Sequence, residues 1–299
     1  MKKTIFIFLI FLVSTNVCNT QEWFTSFEVA KKLALTQNKM LFVMWEDALS
    51  DYYQVIVNDD NGKEIIINLA NNELVTNIIW NHFVPVIILE TEYEAFSNQV
   101  KETRGVKYFN KLTDDSIKIM DVNGNILNIN TTTEFQYENI SEYISRYALN
   151  TSYIKQELEN YFKNKNTTST FLLASKYLDF TIFLNQDVRS EMMALANIYF
   201  DDAKSQLLES NYKNKMAFLQ KWELLQIKAL LILNKPKKAR RILKKTDSKT
   251  IDKINQPLFS FLNYTMFKLL KDEENAALWK NRVSLVDLKK TELIINNNS

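Results

Sequence analysis

The sequence predicts an α/β region of mixed strands and helices, followed by an all-α region of irregular helical hairpins. Three observations carry this. Apolar runs of strand length alternate with helical periodicity up to about residue 150, and then the strand signals stop. Charge divides at the same place: residues 22–150 hold 10 Lys+Arg against 19 Asp+Glu, and residues 151–299 hold 25 against 16. The overall +2 thus conceals halves of −9 and +9, as expected for a domain boundary. Gly and Pro number three each, too few for a turn-rich β-sandwich, a glycine-rich phosphate loop or a dinucleotide-binding turn. With 46% hydrophobic residues in 299, two ordinary domains can each bury a core. The abundance of Lys, Asn and Ile reads as codon usage rather than chemistry.

Residues 1–20 have the pattern of a signal peptide: Lys2-Lys3, a short apolar run from Ile5 to Val13, then a polar exit. The run is too short to span a bilayer, and no later one is long enough. Export, to a periplasm or beyond the cell, is the expectation. Lipid anchoring through Cys18 wants a small residue just before the cysteine, and Val17 suits that poorly.

From Trp23 to Gln37 apolar residues recur at helical spacing. Met40 to Trp45 is continuously apolar and stops at Glu46-Asp47, the mark of a buried strand. Val55–Val57 and Glu64–Ile67 read as a hairpin, with Asn61-Gly62 supplying the positive φ angles of its turn. Asn71–His82 is an amphipathic helix and Phe83–Leu89 a second buried strand. Ser116–Met120 and Ile126–Ile129 form a second hairpin across Asp121–Asn125, and Tyr137–Ala148 is a closing helix. Beyond Thr151, helices are predicted over 153–163, 168–184, 186–209, 211–233, 236–245, 257–270 and 272–285.

Three segments of residues 22–149 resemble thioredoxin-like exported proteins. They are Glu22-Trp23 with Phe27 and Ala30-Lys31-Lys32; Asn38 to Trp45; and Phe83-Val84-Pro85-Val86 with Ile117 to Leu127. The resemblance implies a thioredoxin-like fold and places the redox cysteines at Glu46 and Leu49, after Trp45. It places the substrate-clamping cis-proline at Asp115. The single cysteine of the chain, Cys18, lies in the signal segment, so residues 22–299 hold no thiol for disulfide exchange. In the second half, Trp222–Leu243 is similar to one tetratricopeptide helical hairpin, with a short polar turn and Ala239 in its second helix.

Glu46, Asp47, Asp114 and Asp115 are expected at one edge of the sheet. Clustered carboxylates bind hard cations or shift one another's pKa, but Asp is also the ordinary turn and helix-cap residue. His82 is the only histidine; without a thiol beside it, it makes no ordinary zinc site, and no GxSxG turn presents a serine to it. No catalytic residue, metal or cofactor is therefore assigned. The basic run Lys235–Lys253 reads as a solvated helix face, not a nucleic-acid site. The leading expectation is a non-catalytic exported module that binds a protein or peptide. The alternatives are an acid–base or metal-dependent enzyme at the acidic edge, and a structural envelope protein.

Overall fold

The computed structural model describes residues 22–50, 52–70, 72–130, 137–210 and 214–298. The segment read as a signal peptide, residues 1–20, lies outside them. The first part of the described chain is a small α/β region and the second is almost wholly helical.

Helix α1 (Phe27–Gln37) begins four residues later than the periodicity suggests. Phe24 instead forms a parallel bridge to Val86, donating its N–H to Pro85 O and accepting from the Ile87 N–H. Phe24 before the helix extends the sheet, because extended backbone satisfies these groups where a first helical turn would leave its N–H groups open. Strand β1 (Met40–Trp45) follows and is buried throughout. Its continuous apolar run fits a strand covered on both faces.

A short helix, α2 (Glu46–Ser50), leads to the hairpin β2 (Gln54–Asn58) and β3 (Glu64–Asn68). Helix α3 (Glu73–His82) is capped by the Asn72 side chain, which accepts the N–H groups of Leu74 and Val75. Strand β4 (Phe83–Ile88) then runs parallel to β1. Two helices that the sequence pattern did not reveal follow: α4 (Glu90–Thr103) and α5 (Val106–Thr113). Strand β5 (Lys118–Met120) is antiparallel to β1, so the principal sheet has the order β4-β1-β5. A short strand, β6 (Glu138–Asn139), pairs parallel to β2 in a second sheet of order β3-β2-β6 and leads into α6 (Ile140–Tyr147).

The second expected hairpin is reduced to a single bridge, Met120 to Ile126. The buried Asn128 side chain takes the place of a partner strand: its Oδ1 accepts the Ile119 N–H at 2.8 Å and its Nδ2 donates to Ile117 O at 2.9 Å. Both turns use one device. In Asp59-Asp60-Asn61-Gly62-Lys63 and Asp121-Val122-Asn123-Gly124-Asn125 the aspartate Oδ1 accepts the backbone N–H groups two and four residues on. Only the glycines take positive φ, +78° and +86°. Asn61 does not, contrary to expectation, because a three-residue loop needs one left-handed position rather than two.

The helical part comprises α7 (Lys155–Lys163), α8 (Thr167–Phe180), α9 (Gln186–Glu209), α10 (Lys215–Ile232), α11 (Pro236–Leu243), α12 (Gln256–Leu269), α13 (Glu273–Lys280) and α14 (Leu285–Asn296). Residues 153–154 belong to a 3-10 turn before α7, and α14 is separate from the helix expected over 272–285. Residues 211–213 lie outside the described residues. Helices α10 and α11 form the expected hairpin. Asn234 holds φ +54° in its turn, the Lys235 N–H bonds Leu230 O at 2.8 Å, and Ala239 is fully buried. Asparagine, read as codon usage, does structural work here. Asn38 and Asn234 end helices in the left-handed conformation usually given to glycine, and Asn72, Asn139, Asn150 and Asn166 cap helix starts.

One contiguous apolar core runs through both parts. Where they meet, Asp121 Oδ2 accepts Tyr177 and Tyr199, Arg104 makes a two-pronged pair with Asp202 at 2.8 and 3.0 Å, and Arg146 and Tyr147 bond the fully buried Glu191.

Candidate functional site

The carboxylates predicted at the sheet edge divide into two roles. Glu46 and Asp47 open α2 directly after β1 and are exposed. Glu46 Oε2 accepts the Glu90 N–H at 3.1 Å. That N–H starts α4, whose preceding residue, Leu89, makes no side-chain cap bond. A carboxylate from another element thus satisfies an open helix donor and faces its positive end. Leu49, at the other expected thiol position, packs partly buried against the core.

Trp45 is buried at the end of β1. Its Nε1 donates to Leu112 O at 2.7 Å, and its ring meets Tyr93 edge-on at 4.7 Å. The Lys118 ammonium lies 5.9 Å from the indole centroid. Lys118 in turn reaches the loop that holds the other two predicted carboxylates.

Asp114 and Asp115 follow α5 and line a cleft of ≈ 490 Å³ with Tyr52, Tyr53, Gln54, Ser116, Tyr137 and Glu138. Glu46 and Asp47 are not among its lining residues. Among the described residues, no three His, Cys, Asp or Glu side chains gather as a metal-holding group.

Beneath the cleft lies an ionic cluster that the sequence reading missed. Lys111 Nζ donates to Ser116 Oγ at 2.5 Å, and Ser116 Oγ donates to Asp114 Oδ1 at 2.5 Å. Lys118 Nζ donates to Asp114 O and stands 3.2 Å from Asp114 Oδ1. Glu138 Oε2 accepts the Ile117 N–H at 2.9 Å and the Tyr53 hydroxyl, while Oε1 accepts Tyr143 at 2.5 Å. Two lysines thus balance two carboxylates in a water-poor place, where each charge needs a partner. Burial pushes Lys118 down to about 8 against the opposing pull of Asp114, and pushes Lys111 down as well. Burial, reinforced by Glu138, pushes the Tyr53 phenol up. The available signal was Lys118 itself, the one charge among Ile117, Ile119 and Met120 of the expected hairpin strand.

The floor is therefore rigid and saturated with hydrogen bonds, whereas the mouth is open. Tyr52 and Tyr137 are 66% and 47% exposed, and Asp115 is exposed beside them. Two aromatic faces, a carboxylate and the Gln54 amide offer stacking surface, an anion and both kinds of hydrogen-bonding group. Among the described residues of the cleft, none pairs an exposed nucleophile with a base. Comparison of the chain with protein-family models, with curated proteins and with solved structures found no match.

Proposed function

We propose that the chain is an exported, redox-silent thioredoxin-like protein that binds a protein or peptide, and that the Tyr52–Tyr137 cleft is its docking site. The observation that carries this reading is Glu46. At the position where the resemblance puts the first cysteine stands a carboxylate committed to capping α4, and Leu49 at the second position is packed. The thioredoxin-like reading is further supported by a central β1 with a parallel neighbour on one side and an antiparallel one on the other, and by α1 packed on β4 and β1. The tetratricopeptide-like reading of residues 222–243 draws on the α10–α11 turn at Asn234. The helical part serves as a scaffold that buttresses the first through Asp121 and Glu191.

Screening an array of extended peptides tests this. Wild-type protein is expected to retain a defined subset, and Tyr137→Ala and Tyr52→Ala to lose it while an insulin-reduction assay stays at background. Retention of no peptide by the wild type, or turnover of insulin disulfides, overturns the proposal. Among the described residues, no helix is long and apolar enough to cross a membrane.

A further inference from the structure

We propose that two copies of this chain pair through the outer edge of β3, antiparallel, about a two-fold axis at Ile66. This goes beyond the peptide-binding reading and does not depend on it, because the edge lies across β2 from β6, whose Glu138 lines the cleft.

Strand β3 is the last strand of its sheet, and among the described residues no strand pairs with its outer side. Its backbone register follows from the hairpin. The Asp59 N–H bonds Lys63 O at 2.9 Å and the Leu69 N–H bonds Tyr53 O at 2.8 Å. With the pairing Val55 to Ile67 and Val57 to Ile65 between them, the bonded positions of β3 are 63, 65, 67 and 69. Glu64, Ile66 and Asn68 therefore turn their N–H and C=O groups outward. Such a row is a template for another extended strand. Glu64–Asn68 has no proline and no lysine, its one charge is Glu64 at the end, and Ile65 and Ile66 are 44% and 52% exposed.

The side chains select the occupant and its register. An antiparallel strand must place its own outward residues opposite 64, 66 and 68. A second β3 centred at Ile66 sets Ile66 against Ile66, Ile65 against Ile67, and Glu64 against Asn68. Every apolar side chain then meets an apolar one, and each polar one a polar one. Sliding by one pair in one direction sets Glu64 against Ile66, and a further pair sets Glu64 against Glu64. Sliding the other way sets Ile66 against Asn68. Only the register centred at Ile66 avoids a buried mismatch or a like-charge contact, so the strand is complementary to itself. The result joins two three-stranded sheets into one of six.

The chain is suited to a direct test because its single cysteine, Cys18, can be replaced by serine. In that background, Ile66→Cys is expected to form disulfide-linked dimers faster than Glu64→Cys, since only the first residue faces its own copy. Light scattering on the unmodified protein is expected to show the mass doubling as concentration rises. Ile66→Lys, at an exposed position that the fold tolerates, is expected to hold it at one chain with an unchanged circular dichroism spectrum. A single-chain mass at every concentration, a doubled mass that survives Ile66→Lys, or equal cross-linking rates for the two cysteine variants overturns the proposal.

Discussion

Tyr199 donates its phenol hydrogen bond to the carboxylate of Asp121, a residue 78 positions earlier and on the other side of the charge boundary. Tyr177 donates to the same oxygen at 2.9 Å, with its ring stacked on that of Tyr199 at 5.4 Å. The second Asp121 oxygen closes the turn 121–125. One buried side chain thus fixes a turn of the sheet region and two helices of the helical region. Replacing Tyr177 by Phe removes one bond of four and is expected to cost about 1 kcal/mol in urea unfolding. Asp121→Ala strands two phenols and two backbone N–H groups and is expected to cost about 3 kcal/mol or more, with the near-ultraviolet tyrosine signal reduced. Equal effects of the two variants would show that the carboxylate does not join the two parts.

The ion pairs at this boundary run against the net charges. The acidic half supplies the cations Arg104 and Arg146, and the basic half supplies Asp202, Asp187 and Glu191. The two parts therefore do not meet as a negative surface against a positive one. Arg104–Asp202 is two-pronged and half-buried, and Glu191 is fully buried, so salt reaches these contacts poorly. The radius measured by small-angle scattering is expected to stay constant from low to high salt, whereas Glu191→Ala is expected to enlarge it. Expansion of the wild type with salt would instead favour docking by net charge.

Legibility follows the same division. Long apolar runs and helical periodicity were readable, because burial on both faces or along one stripe writes itself into local spacing: β1, β4 and α9 stand where the sequence puts them. Helices α4 and α5 were not readable. No α4 residue is fully buried; its stripe is only Tyr93, Phe96 and Val100, half-buried among polar residues, and α5 buries the charged Lys111 alongside Tyr108 and Leu112. The strand expected at 126–129 failed because one side chain, Asn128, replaced a ladder. The acidic edge was half legible. The expected fold pointed to Asp114 and Asp115, but Glu46 became a cap; Lys111 and Lys118 stand within four residues of Asp114 and were passed over, and only Glu138 and Tyr53 are brought there from distant segments by the fold.

Lys118 supplies a pH signature. Its folded pKa, about 8, lies below the ordinary 10.5 because burial disfavours the charged form. Between those values the unfolded chain holds a proton that the folded chain has released, so stability rises with pH across that window. Lys118→Met removes this contribution. The difference in unfolding free energy between wild type and Lys118→Met is expected to move in favour of the wild type by about 2–3 kcal/mol from pH 8 to 10.5. A difference that stays flat would mean that Lys118 keeps its proton through its bond to Asp114.

Asp179, inside the helical part, gives a slope of the same sign in the acid range, but through pairing rather than burial. It lies on α8 and receives Lys228 from α10 and, at 2.7 Å, Lys290 from α14. Burial alone would raise its pKa, but the two ammonium groups outweigh burial and hold it below the ordinary 3.8. A depressed carboxylate contributes stability that is present above its unfolded pKa and lost as pH falls through the folded one. Asp179→Asn keeps the shape but leaves Lys228, 6% exposed, without its anion. Breaking such a pair from one side is expected to cost about 3–5 kcal/mol. Lys290 is 24% exposed and recovers water when its partner is lost, so Lys290→Met is expected to cost about 1 kcal/mol. Acid titration of the three proteins separates the causes. The wild type is expected to lose stability below pH 4 along a steeper curve than Asp179→Asn, because only the wild type must protonate this carboxylate to unfold. Parallel curves would show that the three helices are held by their apolar faces alone.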